Sequence, residues 1–488
     1  MIRLQTTLRR GIIASGLTLL MFTNSSTGAV EYGPVQTRIA AAIADIEQRD
    51  QQYHAVIAID PDATNVARVL DLQRKAPGPL HGEPILLKDN IESKGLPTTA
   101  GSLALADNNT GRDAPLVAKL RRAGAVILGK TNLSEWANFR SEFSSSGWSG
   151  VGGQTRNAHD PERTPCGSSS GSAVAVALGY VDVAIGTETS GSIVCPASIN
   201  GVVGFKPTQG LVDGSGIVPL ASTQDTAGPI ANSVSLAART LAVISSDTAQ
   251  DGKAIRQGLI SLDAVSSLKG LKIGVFSRTQ GFDPRRDTEL DTVLETLKDN
   301  GALLVPGLDI EPYEGYGQDS YDVLLYEFRR DLNAYLAQLP NALSNMTLAS
   351  LIAFNEEHAT QELRHFDQSI FLKSQNLADT EEDYRQKRLA TQKAMREDGL
   401  DRLFAEHQLD AIVGITEGPA WMIDWVNGDA NFGPGMAGQA AVAGNPHITV
   451  PLGKVAHLPL GISLIGERWQ DHKLAAIAAQ LETAHAQR

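Results

Sequence analysis

Two loops rich in glycine and serine are the parts of this chain best equipped for chemistry. The first reads Pro165-Cys166-Gly167-Ser168-Ser169-Ser170-Gly171-Ser172, the second Gly186-Thr187-Glu188-Thr189-Ser190-Gly191-Ser192-Ile193. A serine hydroxyl is a poor nucleophile unless its proton is taken as it attacks. A run of Ser and Gly by itself is ordinarily a flexible linker. Here the runs are flanked directly by the apolar stretches Ala173 to Leu178 and Val181 to Ile185, which a linker does not need. The pair predicts a rigid site built of serines and backbone amides.

Bland readings compete at each position. Lys88 ends the apolar run from Pro84 to Leu87, and such a lysine is ordinarily a strand end reaching water. A serine before an apolar run is ordinarily a helix cap. Two motif matches are coincidental. Gly167-Ser168-Ser169-Ser170-Gly171 fits the G-x-S-x-G elbow, but Arg163-Thr164-Pro165-Cys166 before it makes a poor strand, and that motif requires one. Ser266-Ser267-Leu268-Lys269 fits S-x-x-K in a polar connection, with no S-D-N or K-T-G after it.

The elements around these loops read as α/β. Helices are expected at 37–52, 62–76 (capped by Asp62), 113–123 (opening on Asp113 as its cap, with an early Pro115), 288–300 and the C-terminus. Strands are expected at 55–59, 84–87, 125–128, 272–276, 302–305, 447–451 and 460–465. From 321 to 407 the chain is charged and nearly all helical, and is read as an insertion at about 310–410 within one domain spanning 30–488.

Composition narrows the partners. With 42 basic and 55 acidic residues the net charge is −13, which argues against nucleic acid as the main partner. Arg3, Arg9 and Arg10 precede an apolar run from Gly11 to Phe22 and then small polar residues to Ala29. That is the layout of a secretory signal peptide at 1–29. The run is about half the ~20 residues needed to span a bilayer. The expectation is export to the periplasm or beyond, with no membrane anchor after processing, as a monomer. The histidines form no H-E-x-x-H or close pair, so no metal or cofactor is expected. Cys166 and Cys195 are the two cysteines. Export invites a disulfide, yet small buried thiols pack well beside such loops, and free thiols are expected.

The chain resembles the amidase signature family, whose hallmark is a Gly-Gly-Ser-Ser-Gly-Gly-Ser loop, a small-residue helix and a Gly-Thr/Ser-Asp-x-Gly-Gly-Ser-Ile loop. The similarity extends to Lys88-Asp89-Asn90, Gly129-Lys130-Thr131-Asn132-Leu133-Ser134-Glu135, Gly204-Phe205-Lys206-Pro207-Thr208, Asp225-Thr226-Ala227-Gly228-Pro229 and Ala443-Gly444-Asn445-Pro446. It implies a large mixed sheet covered on both faces by helices. It also implies a triad in which Ser192 is the nucleophile, Ser168 the bridging serine held by a cis peptide, and Lys88 the base. The oxyanion amides would fall on Thr189, Ser190, Gly191 and Ser192. For this to work Lys88 must be neutral, so its ordinary pKa of ~10.4 must drop through burial away from carboxylates; Asp89 would then point elsewhere.

The chain departs from the common pattern. Cys166 and Ser170 stand for loop glycines, Glu188 for the usual Asp, Ser190 for a glycine and Val194 for the usual Arg, so the Asp–Arg brace of the second loop is absent. Cys166, Glu188, Val194, Cys195 and Trp136-Ala137-Asn138-Phe139-Arg140 resemble the peptide amidase branch, whose members release ammonia from C-terminal peptide carboxamides. Asn138 and Arg140 are the candidate substrate-binding residues. The alternatives are an amidase for small aliphatic, aryl or fatty amides, the A component of a glutamyl-tRNA amidotransferase, and a catalytically silent binding protein on the same scaffold.

Overall fold

Runs such as Ile85–Leu87 and Val183–Ile185 have no polar side to offer water, so they form strands buried on both faces. The computed structural model describes residues 33–488 except 74–75, 431–432 and the side chains of 341 and 342, and 33–488 make one compact unit. The signal peptide expected at 1–29 lies outside the described residues.

In chain order the strands are β1 Val56–Ile59, β2 Pro84–Lys88, β3 Val126–Thr131, β4 Trp148–Ser149, β5 Gly153–Gln154, β6 Val183–Glu188, β7 Val203–Lys206, β8 Thr226–Ala231, β9 Lys272–Phe276, β10 Leu303–Leu308, β11 Ala411–Ile415, β12 His447–Val455 and β13 Leu458–Ile465. β4 and β5 pair with each other. The other eleven form one mixed sheet in the order β1-β3-β2-β6-β8-β7-β12-β13-β11-β9-β10. The helices used below are α1 Pro34–Arg49, α2 Ala63–Asp71, α3 Pro115–Arg122, α4 Ser170–Ala177 and α5 Val194–Asn200.

Side chains alternate between the faces of a strand. Ile85, Leu87, Ile127, Val183 and Ile185 meet α3 and the helices at Val234–Ile244 and Asp471–Ala486. Leu86, Val126, Leu128 and Ala184 meet α1, α2, α4 and α5 on the other face. Lys88 shares the face of Leu86 and so lies on the side of α4 and α5, which carry the serine loops. The register then separates two lysines. Ile85 pairs with Ile127, but Leu86 pairs with Gly129, Leu87 with Lys130 and Lys88 with Thr131. The extra residue in β3 puts Lys130 on the face of Leu87, opposite Lys88.

Two local expectations change. The helix expected at 62–76 ends at Asp71, with Pro77 and Pro79 in the connection that follows. Asp113 does not cap α3, whose N-cap is Ala114. It accepts the N–H of Lys94 at 2.8 Å and pairs with Arg121 at 3.2 Å instead.

Between β10 and β11 the chain is helical, with helices Tyr316–Leu336, Leu348–Glu357, Ala359–Glu362, Ser369–Asn376, Glu381–Met395 and Arg402–His407. Leu325, Phe328 and Phe371 of this block pack against Trp136, Phe139, Val218 and Leu220. The block therefore backs the segments that wall the site.

Candidate active site

Lys88, at the end of β2, is wholly buried. Its Nζ lies 2.7 Å from Ser168 Oγ, 2.8 Å from Thr187 Oγ1 and 3.1 Å from the Thr187 carbonyl. Three neighbours suit a neutral amine: two N–H groups donate to the Thr187 oxygens, and the lone pair is left for the Ser168 hydroxyl. Burial pushes the ammonium down to about 7, against the opposing pull of the Asp225 and Glu188 carboxylates. Asp89, next in sequence, faces away. Its carboxylate pairs with Lys130 at 3.1 Å and accepts from the backbone N–H of Thr99 at 3.1 Å and from the Thr99 hydroxyl.

The two serine loops lie side by side, each entering a short helix. The Gly167–Ser168 peptide is cis. A Cβ at Gly167 would overlap Ser134 Oγ, so that loop passes too close to its neighbour for any larger residue. The N–H of Ser169 donates to the carbonyl of Ser192 at 3.1 Å, joining the loops directly. Gly191 has φ +86°, a backbone position that favours glycine. Glu188 takes the place of the missing brace by turning back on its own loop: Oε2 accepts the N–H groups of Ile193 at 2.7 Å and Val194 at 3.0 Å. A carboxylate there suits the positive end of α5.

The expectation of free thiols is corrected: Cys166 and Cys195 form a disulfide, with Cα atoms 6.0 Å apart. The adjacency of the loops, which no spacing in the sequence reveals, brings the two sulfurs together.

Two cavities meet the loops on either side of one seam. Thr187, Thr189 and Ala137 line a mainly apolar cavity of about 270 Å³, completed by Val212, Ile217, Val218, Pro219 and Leu220, with Asn90 and Asp225 also on its wall. Ser190, Gly191, Gly167 and Asn138 line a polar cavity of about 330 Å³ with Ser146, Trp421 and Asp429. The seam is the segment Trp136, Ala137 and Asn138, whose φ values are +50°, +57° and +67°. Three non-glycine residues in this region cost roughly 1–3 kcal/mol each, and such backbone persists only where its surroundings hold it.

Part of that hold comes from Arg140, and here the substrate-binding expectation is corrected. Arg140 is wholly buried, pairs with Glu135 at 3.1 Å and Glu362 at 3.5 Å, and donates to the Glu362 carbonyl at 2.6 Å. Trp148 and Phe366 cover its guanidinium. It clamps the turn to the helical block and lines neither cavity. Burial drives Glu135 well above the usual carboxylate range. Asn138 does line the polar cavity, and its Nδ2 donates to Ser146 Oγ at 3.0 Å.

Several participants escaped sequence reading. Thr187 supplies both acceptors on Lys88, and Asn90 donates to its hydroxyl at 2.9 Å. Asp225, pushed up to about 6 by burial, accepts from Thr189 Oγ1 at 2.6 Å. Asp429 accepts from Ser146 Oγ at 2.5 Å and Trp421 Nε1 at 3.1 Å. Thr187, Asn90 and Asp225 stand inside recognised motifs, whereas Asp429 carries no sequence signal. Among the described residues no cluster of His, Cys, Asp and Glu is arranged to hold a metal, and no helix is long and apolar enough to cross a membrane.

The amidase family model matches residues 38–475. A probable amidase of Arabidopsis thaliana is 38% identical over 450 residues, covering 88% of this chain and 83% of its own. The A component of the glutamyl-tRNA(Gln) amidotransferase of Methanospirillum hungatei is 30% identical over 449 residues, covering 90% of this chain and 98% of its own. The crystal structure of the native peptide amidase from Stenotrophomonas maltophilia superposes with a TM-score of 0.86 at 42% identity, covering 93% of this chain and 94% of that one. The chain belongs to the amidase family, the amidase signature enzymes, and is an amide-hydrolysing enzyme.

Proposed function

We propose that the enzyme hydrolyses the C-terminal carboxamide of peptides, with Ser192 as nucleophile, Ser168 as proton relay and Lys88 as base. The observation that carries this reading is the 2.7 Å contact between Lys88 Nζ and Ser168 Oγ, with burial holding the amine near neutrality at about 7. Ser192 Oγ attacks the carboxamide carbon as its proton passes to Ser168, whose own proton moves to Lys88. The oxyanion rests on the backbone N–H groups of Thr189 to Ser192. Collapse of the tetrahedral intermediate breaks the C–N bond, and the proton returns through Ser168 to the departing nitrogen as ammonia. Water, deprotonated by the same relay, then hydrolyses the ester on Ser192.

The choice of peptide amides is supported by the 42% identity to a peptide amidase that chymostatin inhibits competitively. Two cavities meeting at the serine loops leave room for a substrate larger than a simple amide. Export is supported by the charge and hydropathy order of 1–29 and by the disulfide, since disulfides persist in oxidising compartments. Sequencing the N-terminus of the protein recovered from outside the cytoplasm tests that part.

Ammonia release is the deciding assay, with peptide amides, simple aliphatic and aryl amides, and glutamine offered in parallel. Peptide amides should give the highest kcat/KM, and Ser192→Ala should abolish it. A preference for simple amides, or for glutamine with a tRNA-linked acceptor, would overturn the substrate assignment; an active Ser192→Ala would overturn the mechanism.

A further inference from the structure

Position 166 is a glycine in the usual family loop, and the backbone here explains the preference: Cys166 has φ +52°. Only glycine enters that region without steric conflict between Cβ and the backbone. This chain places a side chain there and ties it by its sulfur to Cys195. We propose that the Cys166–Cys195 disulfide is a positioning tie that holds residue 166 in its left-handed conformation and so sets Ser168 against Ser192.

The topology gives the tie this reach. Cys166 stands two residues before Ser168, and Cys195 three residues after Ser192. The loops belong to different helices, α4 and α5. On the inner side they are joined through Ser169, whose N–H donates to the Ser192 carbonyl at 3.1 Å. Its hydroxyl donates to the Thr187 carbonyl at 3.0 Å and accepts the Thr187 N–H at 3.2 Å, and Asn200 of α5 donates to the Pro165 carbonyl at 2.9 Å. The local bonds of Cys166, from its N–H to Thr164 Oγ1 at 3.0 Å and to its carbonyl from Ser170 Oγ at 2.6 Å, stay within the first loop. The disulfide is the covalent link on the outer side, packed against Ile199 and Trp421. Both cysteines border the polar cavity beside Gly167, Ser190 and Gly191, so a small reductant can reach the bond. A water-soluble phosphine converts it to two thiols and takes up the oxygen of one water as phosphine oxide.

The inference rests on Ser168 and Ser192 sharing a proton, which Ser192→Ala tests separately in the oxidised protein. The decisive comparison is kcat and KM on one peptide amide for wild type, Cys166→Ala/Cys195→Ala and Cys166→Gly/Cys195→Ala. Loss of alignment between reacting groups should lower kcat of the alanine pair by about tenfold with KM within about twofold, while the glycine pair recovers to within about threefold of wild type. Phosphine should bring folded wild-type enzyme down to the alanine level, leave both variants unchanged, and be reversed by reoxidation; this arm serves if the alanine pair does not fold. A glycine pair as impaired as the alanine pair, or a reduced wild type with full kcat, would overturn the tie.

Discussion

Lys88 and Lys130 occupy the ends of adjacent strands, one residue apart in register and both wholly buried, yet they are different chemical objects. Lys130 donates to Asp89 at 3.1 Å, the Ile91 carbonyl at 2.7 Å and Thr98 Oγ1 at 3.0 Å. Lys88 meets two hydroxyls and a carbonyl, with no carboxylate in contact. Burial lowers both; Asp89, in direct contact, and Glu92 oppose it at Lys130, whereas at Lys88, which falls to about 7, the opposing Asp225 and Glu188 carboxylates make no hydrogen bond to the amine. Burial alone thus does not make a base. What matters is whether a counter-charge shares the burial.

Matched substitutions give the sharpest way to break this contrast. Lys88→Met should cost about a thousandfold or more in kcat/KM, since proton transfer from the nucleophile is lost, and should change stability far less than the same substitution at 130. Lys130→Met should instead destabilise by about 3–5 kcal/mol in urea unfolding, because Asp89 is left as an uncompensated buried charge. Adding Asp89→Leu should recover most of that loss. If Lys130→Met inactivates a protein of normal stability, the division of labour is wrong.

The pH profile refines the comparison. In the proposed mechanism Lys88 must be neutral to act as a base, and burial holds it near 7. Activity should therefore rise with pH through a limb centred near 7 in kcat/KM and be lost below it as the amine protonates. A limb near the ordinary lysine range would contradict burial as the cause. The smallest effect belongs to Asp225, whose carboxylate favours the charged form of Lys88. Asp225→Asn keeps an acceptor for Thr189 and should move the limb to lower pH by less than about one unit. An upward shift would show that Asp225 acts on Lys88 by another route.

Much of the frame was legible. Apolar runs without a polar face announced buried strands, and the charged stretch before residue 411 announced helices. The loop motifs singled out Ser168, Ser192 and Lys88, and the contact of Lys88 with Ser168 is present. Arg140 misled because a buried cation and a substrate-binding cation look alike until their partners are known. The cysteines misled because a separation of 29 residues says nothing of two loops folded side by side. Thr187 stood in plain view inside its motif, but its role depends on a lysine 99 residues away.

The order of residues by itself determined which segments form buried strands and helices, and which hydroxyls stand at the entries of α4 and α5. These follow from local preference and from the alternation of side chains along a strand. Only the tertiary structure decided which buried lysine has a counter-ion, which sulfurs meet and which carboxylates hold Arg140. Each of these depends on distances of a few ångströms between groups far apart in the chain, and both electrostatic and covalent contacts are set at that scale.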